Sequence, residues 1–150
     1  MGKSNTVWGI LSNTVISFML FILVLGVLNV INWAIYNSSL DSIVSFINSN
    51  FLLIVLITIL SLFGEIFMSL KFPFDMPGPL FTAVNSIFII KLIFNIFLFT
   101  QNYITINFPY SLDFIYLMIA TLVFIIILIV DYIKIFLKTR KKKKRVSREE

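Results

Sequence analysis

Four stretches of the chain are almost wholly apolar, at about residues 8–33, 43–70, 80–100 and 114–136. At ~1.5 Å per residue each is long enough to cross ~30 Å of hydrocarbon as an α-helix. Polar breaks separate them. Residues 37–50 are Ser/Asn-rich and contain Asp41, although Ile43, Val44, Phe46 and Ile47 assign the second half of this connector to the next helix. Residues 71–79 carry Pro73, Pro77, Gly78 and Pro79, a turn that joins the second and third helices, with Pro79 suited to a first helical position where its missing N–H goes unused. Phe72, Phe74 and Met76 are expected in the headgroup region beside Lys71 and Asp75. Residues 101–113 hold Tyr103, Asn107, Pro109, Tyr110 and Asp113 and read as a second polar connector. The pattern predicts an all-α integral membrane protein: a four-transmembrane-helix bundle over residues 1–137, followed by a basic tail over 138–150.

The first apolar run has Trp8 at one end and Trp33 and Tyr36 at the other, and such rings mark membrane–water boundaries. Lys3 before an apolar run imitates a secretory signal, but the run is too long and no small-x-small cleavage site follows, so an uncleaved first helix is expected. The opening residues fit a loose N-myristoylation pattern on Gly2, and Asn37-Ser38-Ser39 is a glycosylation sequon. Short patterns of this kind recur by chance.

Composition narrows the chemistry. Hydrophobic residues make up 59% of the chain and charged residues 13%, which no water-soluble surface would tolerate. Cys and His are both absent, removing disulfides, thiolate and imidazole catalysis and the commonest transition-metal ligands. No metal or cofactor is expected.

The net charge of +5 belongs to the tail, where eight of the twelve cations lie between Lys138 and Arg148. If four helices alternate, Lys3, Lys71 and the tail share one side, while the two other connectors hold only Asp41 and Asp113. This positive-inside pattern puts both termini and the 71–79 turn in the cytoplasm, or in the matrix or stroma of an organelle. It holds equally for a cell membrane and an organelle's inner membrane. Lys138, Arg140, Lys141, Lys142, Lys143, Lys144 and Arg145 form a juxtamembrane cluster that attracts anionic lipid headgroups, besides anchoring the last helix. A nucleic-acid role would need a folded or aromatic context that this segment lacks.

One polar constellation lies inside the spans. Thr58, Ser61, Glu65 and Ser69 recur at helical spacing and share a face, and Lys91 and Asn95 form a polar edge on the next helix. A mid-membrane Lys costs ~2.5–3.5 kcal/mol, which the many Leu, Ile, Phe and Val residues of that helix offset. Counted outward from the turn centre near Asp75, Glu65 and Lys91 differ in depth by roughly 9 Å, with side chains leaning toward each other. An ion pair fixing the second helix against the third is one expectation. A midplane proton or ion site, or a Lys91 paired with another subunit, are the others. Asp131 and Lys134, three apart, can also pair.

With no nucleophile or metal set beside Glu65 and Asp75, the sequence points to no enzyme. It points to a small, non-catalytic integral membrane subunit that packs within a larger complex, with a hetero-complex ahead of a homo-oligomer. The alternative is an oligomeric ion channel or transporter with a midplane site around Glu65 and Lys91.

Overall fold

A computed structural model describes residues 7–35, 37–71, 73–101 and 112–149, the last segment without side chains at 112 and beyond 140. Among the described residues there are five helices: α1 (Val7–Ala34), α2 (Ser38–Ser49), α3 (Phe51–Ser69), α4 (Gly78–Gln101) and α5 (Leu112–Glu149). α1, α3, α4 and the Asp113–Arg140 part of α5 are long and apolar enough to cross a membrane. The chain is a multi-pass membrane protein. The N-terminal pattern around Gly2, Tyr36, Phe72 and most of the second connector lie outside the described residues.

The expected second helix over 43–70 is two helices. Asn37 caps α2, its Oδ1 accepting from the backbone N–H groups of Ser39 and Leu40 at 2.9 and 3.3 Å, so helix begins as soon as α1 has ended. α2 stops at Asn50, whose N–H is shared between the carbonyls of Phe46 and Ile47. Its side chain also bonds the Phe46 carbonyl, at 2.8 Å. An amide that competes for backbone partners in this way favours a break between two helices over one straight rod.

α2 docks on α1 through Asp41, Val44 and Asn48, spaced three and four apart on one face. Val44 is buried. Asp41 accepts from Asn32 Nδ2 at 3.0 Å, and the Asn29 and Asn48 amides face each other, with Asn48 Nδ2 2.9 Å from Asn29 Oδ1. Seven residues of α2 match only three of α1, so the short helix crosses its neighbour obliquely.

α3 and α4 form the expected hairpin, closed at the turn by small residues. A Cβ on Gly78 would lie 2.5 Å from Met68 Cγ and 3.0 Å from the Met68 backbone nitrogen, and one on Gly64 would lie 3.0 Å from Thr82 Oγ1. Phe81 fits beside this close approach, its ring 5.5 Å from Phe63 and 5.4 Å from Phe67. On α4 the buried Pro79, Ala83, Ser86 and Ile90 recur at four, three and four, a narrow face of mostly small residues.

The spans are arranged as an open row. α4 packs against both α3 and α5, α1 leans on α3, and among the described residues no comparable contact joins α1 to α5. The four-helix bundle expected from the sequence does not close. α1 has only Ile10 and Leu25 buried, leaving Trp8 79% and Trp33 83% exposed at its two ends. The final helix also departs from expectation. It continues past residue 136 through the basic segment, which contains no Gly or Pro to stop it.

Candidate functional site

The contacts of Gly64 with Thr82 and of Gly78 with Met68 set the hairpin register. In that register Glu65 is level with Phe81 and Lys91 is level with Val55. Ten residues of helix therefore separate the two charges in depth, about 15 Å. No ion pair joins them, and both side chains are exposed. The expected intrahelical-hairpin pair does not form, for two physical reasons. α4 begins with Gly78 pressed on Met68, which moves the symmetry point of the hairpin toward Pro73 and widens the gap. Gly64, the residue without a side chain, turns to α4, and Glu65, ~100° further round α3, is carried off that interface.

The polar face of α3 looks toward α1. Asn13, Thr14 and Ser17 of α1 and Thr58, Ser61 and Glu65 of α3 line a groove of about 300 Å³. Thr58 also donates to the Ile54 carbonyl at 2.9 Å. Ser69 lies apart from the groove and bonds the Ile66 carbonyl at 2.7 Å. The α1 half was missed in the sequence reading, although Asn13, Thr14 and Ser17 share a face at helical spacing.

Lys91 follows the buried Ile90 by one residue and is exposed. It does not enter the interior between the helices, as a lysine in hydrocarbon was expected to do. Its neighbour on that edge, Asn95, behaves differently, donating to Asn50 Oδ1 at 2.6 Å. The two polar residues of the α4 edge thus separate into one satisfied group and one unpaired cation.

Around the start of α4 the interior is unexpectedly polar. Asp75 is only 2% exposed, and its Oδ1 and the Oδ1 of Asn85 are buried without a hydrogen-bond partner. Asp75 is a buried residue of the turn and not the headgroup-facing one expected. Phe94 of α4 and Tyr116 of α5 are in ring contact at 5.5 Å. Fifteen residues from each, toward the turn, lie Pro79 and the buried Asp131. Asp131 accepts from Lys134 at 2.7 Å, the only ion pair among the described residues. No group of three or more His, Cys, Asp or Glu side chains able to hold a metal ion occurs among the described residues. Lys138 and Arg140 are exposed on α5, while the side chains of Lys141, Lys142, Lys143, Lys144 and Arg145 lie outside the described residues.

No protein-family model, curated protein or solved structure matches the chain. Its function therefore rests on the disposition of these polar groups.

Proposed function

We propose that the chain is a non-catalytic subunit of a larger hetero-oligomeric membrane complex. The observation that carries this reading is the separation of Glu65 and Lys91: both exposed, both within spanning helices, unpaired, and about 15 Å apart in depth. A second copy inserted with the same topology keeps every residue at its own depth. Lys91 of one copy then meets no carboxylate of another at its level, and homo-oligomerisation leaves Lys91 unsatisfied. A different protein with a carboxylate near the membrane centre satisfies Lys91 directly. The open row supports the same reading, since the outer flanks of α1 and α5 remain free to pack against other helices. The non-catalytic assignment rests on the absence of Cys and His from the sequence. In this arrangement both termini and the 71–79 turn lie on the cytoplasmic, matrix or stromal side, and the basic end of α5 lies against anionic headgroups.

The polar groove between α1 and α3 supports a second reading, an oligomeric channel or transporter in which several such grooves line a shared path. Gentle extraction from native membranes followed by native mass spectrometry separates the two. A defined heteromer, lost in Lys91→Leu while the variant still inserts, is the expected result. A homomeric ring that survives Lys91→Leu would replace the subunit with the channel.

A further inference from the structure

The junction of α1 and α2 forms an open pocket of about 440 Å³ lined by Asn32, Trp33, Asn37, Ser38 and Asp41. It lies at the opposite end of the spans from the hairpin turn, at the boundary that Trp33 marks. Its volume is within the range of small-molecule sites. Its polar groups divide into two sets with opposite preferences. Asp41 contributes a carboxylate, and the Trp33 ring, 83% exposed, contributes an aromatic face, both of which attract a cation. Asn32 holds that carboxylate in place. Its Nδ2 donates to Asp41 Oδ1 at 3.0 Å, while its own Oδ1 is buried without a partner. That oxygen is closed off from the pocket, so the Asp41 carboxylate is the acceptor of this set.

The second set consists of donors. Asn37 has committed its Oδ1 to the N–H groups of Ser39 and Leu40, which leaves its Nδ2 as the available end of the amide. Ser38 supplies a hydroxyl at the first position of α2, where the helix dipole favours an anion. Cation-seeking and anion-seeking groups therefore line one small pocket at a membrane boundary.

We propose that this pocket binds the zwitterionic headgroup of a phospholipid bearing a primary ammonium, of the phosphatidylethanolamine class. The ammonium lies between Asp41 and the Trp33 ring, and the phosphate lies toward Asn37 Nδ2 and Ser38. A primary ammonium is selected over a quaternary one because Asp41 accepts hydrogen bonds, and a trimethylammonium has no N–H to give. Trp33 alone would accept either.

The test reconstitutes the full chain into vesicles of equal phosphatidylethanolamine and phosphatidylcholine, extracts it gently and quantifies retained lipid by mass spectrometry. Wild type is expected to enrich phosphatidylethanolamine over phosphatidylcholine by about fivefold, the order that one net hydrogen bond supplies. Asp41→Asn is expected to return the ratio to that of the vesicle. Equal retention by wild type, or an enrichment unchanged in Asp41→Asn, would overturn the proposal. If Asp41→Asn does not fold, Trp33→Leu, altered at an exposed ring outside the hydrogen-bond network, decides by total retention: because the ring holds either ammonium, the variant is expected to retain less of both lipids, and undiminished retention would overturn the proposal. A parallel arm adds free phosphoethanolamine. The lipid is expected to stay bound, and its displacement would make the ligand a soluble compound and overturn the lipid assignment.

Discussion

Asn95 Nδ2 donates to Asn50 Oδ1 at 2.6 Å, joining the break between α2 and α3 to the far end of α4. The pair obeys the register that Gly64–Thr82 and Met68–Gly78 set at the turn, so the α3–α4 hairpin is fixed at both ends by unlike devices. Steric intimacy holds the turn end. At the other end, Asn50 is nine-tenths buried and also bonds the Phe46 carbonyl, so one side-chain amide ends α2 and positions α4, while the Asn50 backbone carbonyl accepts from Ile54 N–H at 3.0 Å at the start of α3.

Removing one member of this pair strands the other in an apolar surrounding. Asn95→Ala is expected to destabilise the protein by about 1–2 kcal/mol, and Asn50→Ala by at least as much, because it also loses the bond to Phe46. The double variant should cost less than the sum of the two. Equilibrium unfolding in detergent micelles, run as a double-mutant cycle, measures this coupling, and strictly additive losses would show that the bond contributes nothing.

The glycines give a sharper contrast. Gly78→Ala places a methyl group 2.5 Å from Met68 Cγ and 3.0 Å from its backbone nitrogen, so the hairpin must open or shift, at a cost of about 1–3 kcal/mol. Gly26→Ala meets nothing within 4 Å and gains helix propensity, so it should be neutral or stabilising by up to about 1 kcal/mol. Thermal unfolding of the two variants side by side checks the difference. Equal stability would mean that the two helices do not meet closely at Met68.

These residues also show what was legible from sequence. Span lengths and positions follow from hydrophobic content alone, and α1, the 71–79 turn and α4 lie within two residues of their expected bounds. Rotation about each axis is not written there, because the spans are apolar on nearly every side and carry no stripe to say which face is inward. One expectation therefore paired Glu65 with Lys91 of α4, whereas Glu65, with Thr58 and Ser61, lines the groove toward α1. Gly64, a single small residue in a run of Phe, Ile and Leu, was the better guide to the α3–α4 interface. The break at Asn50 was hidden because Phe46 and Ile47 precede the short polar stretch Asn48-Ser49-Asn50 and a long apolar run follows it, and the bonds of the Asn50 amide to the Phe46 carbonyl and to Asn95 account for the stop.

Orientation can be read by labelling. The chain has no natural cysteine, so cysteines introduced one at a time at Ser39 and at Ser147 report without background. An odd number of spans separates the two positions, and impermeant thiol reagents should reach them from opposite faces. The positive-inside rule puts Ser147 on the cytoplasmic, matrix or stromal face. Labelling of both from one face would remove the arrangement of α3, α4 and α5 as three crossings.

Glu65 and Lys91 test the proposed role most directly. With about 15 Å of depth between them and no ion pair, their energies should be independent. Glu65→Gln, Lys91→Leu and the double variant are expected to change the stability of the isolated chain additively, within about 0.5 kcal/mol, and Lys91→Leu should stabilise it by removing a cation exposed to lipid. Assembly should respond in the opposite direction. Within native membranes Lys91→Leu loses a partner's carboxylate, so the yield of the heteromer should fall even as the lone chain becomes more robust. A folding cycle in micelles beside a co-purification assay from membranes reads both quantities. Coupling well above 1 kcal/mol would mean that the two charges meet after all, whereas additive folding energies with undiminished assembly would take Lys91 out of the interface and leave the subunit proposal without its principal support.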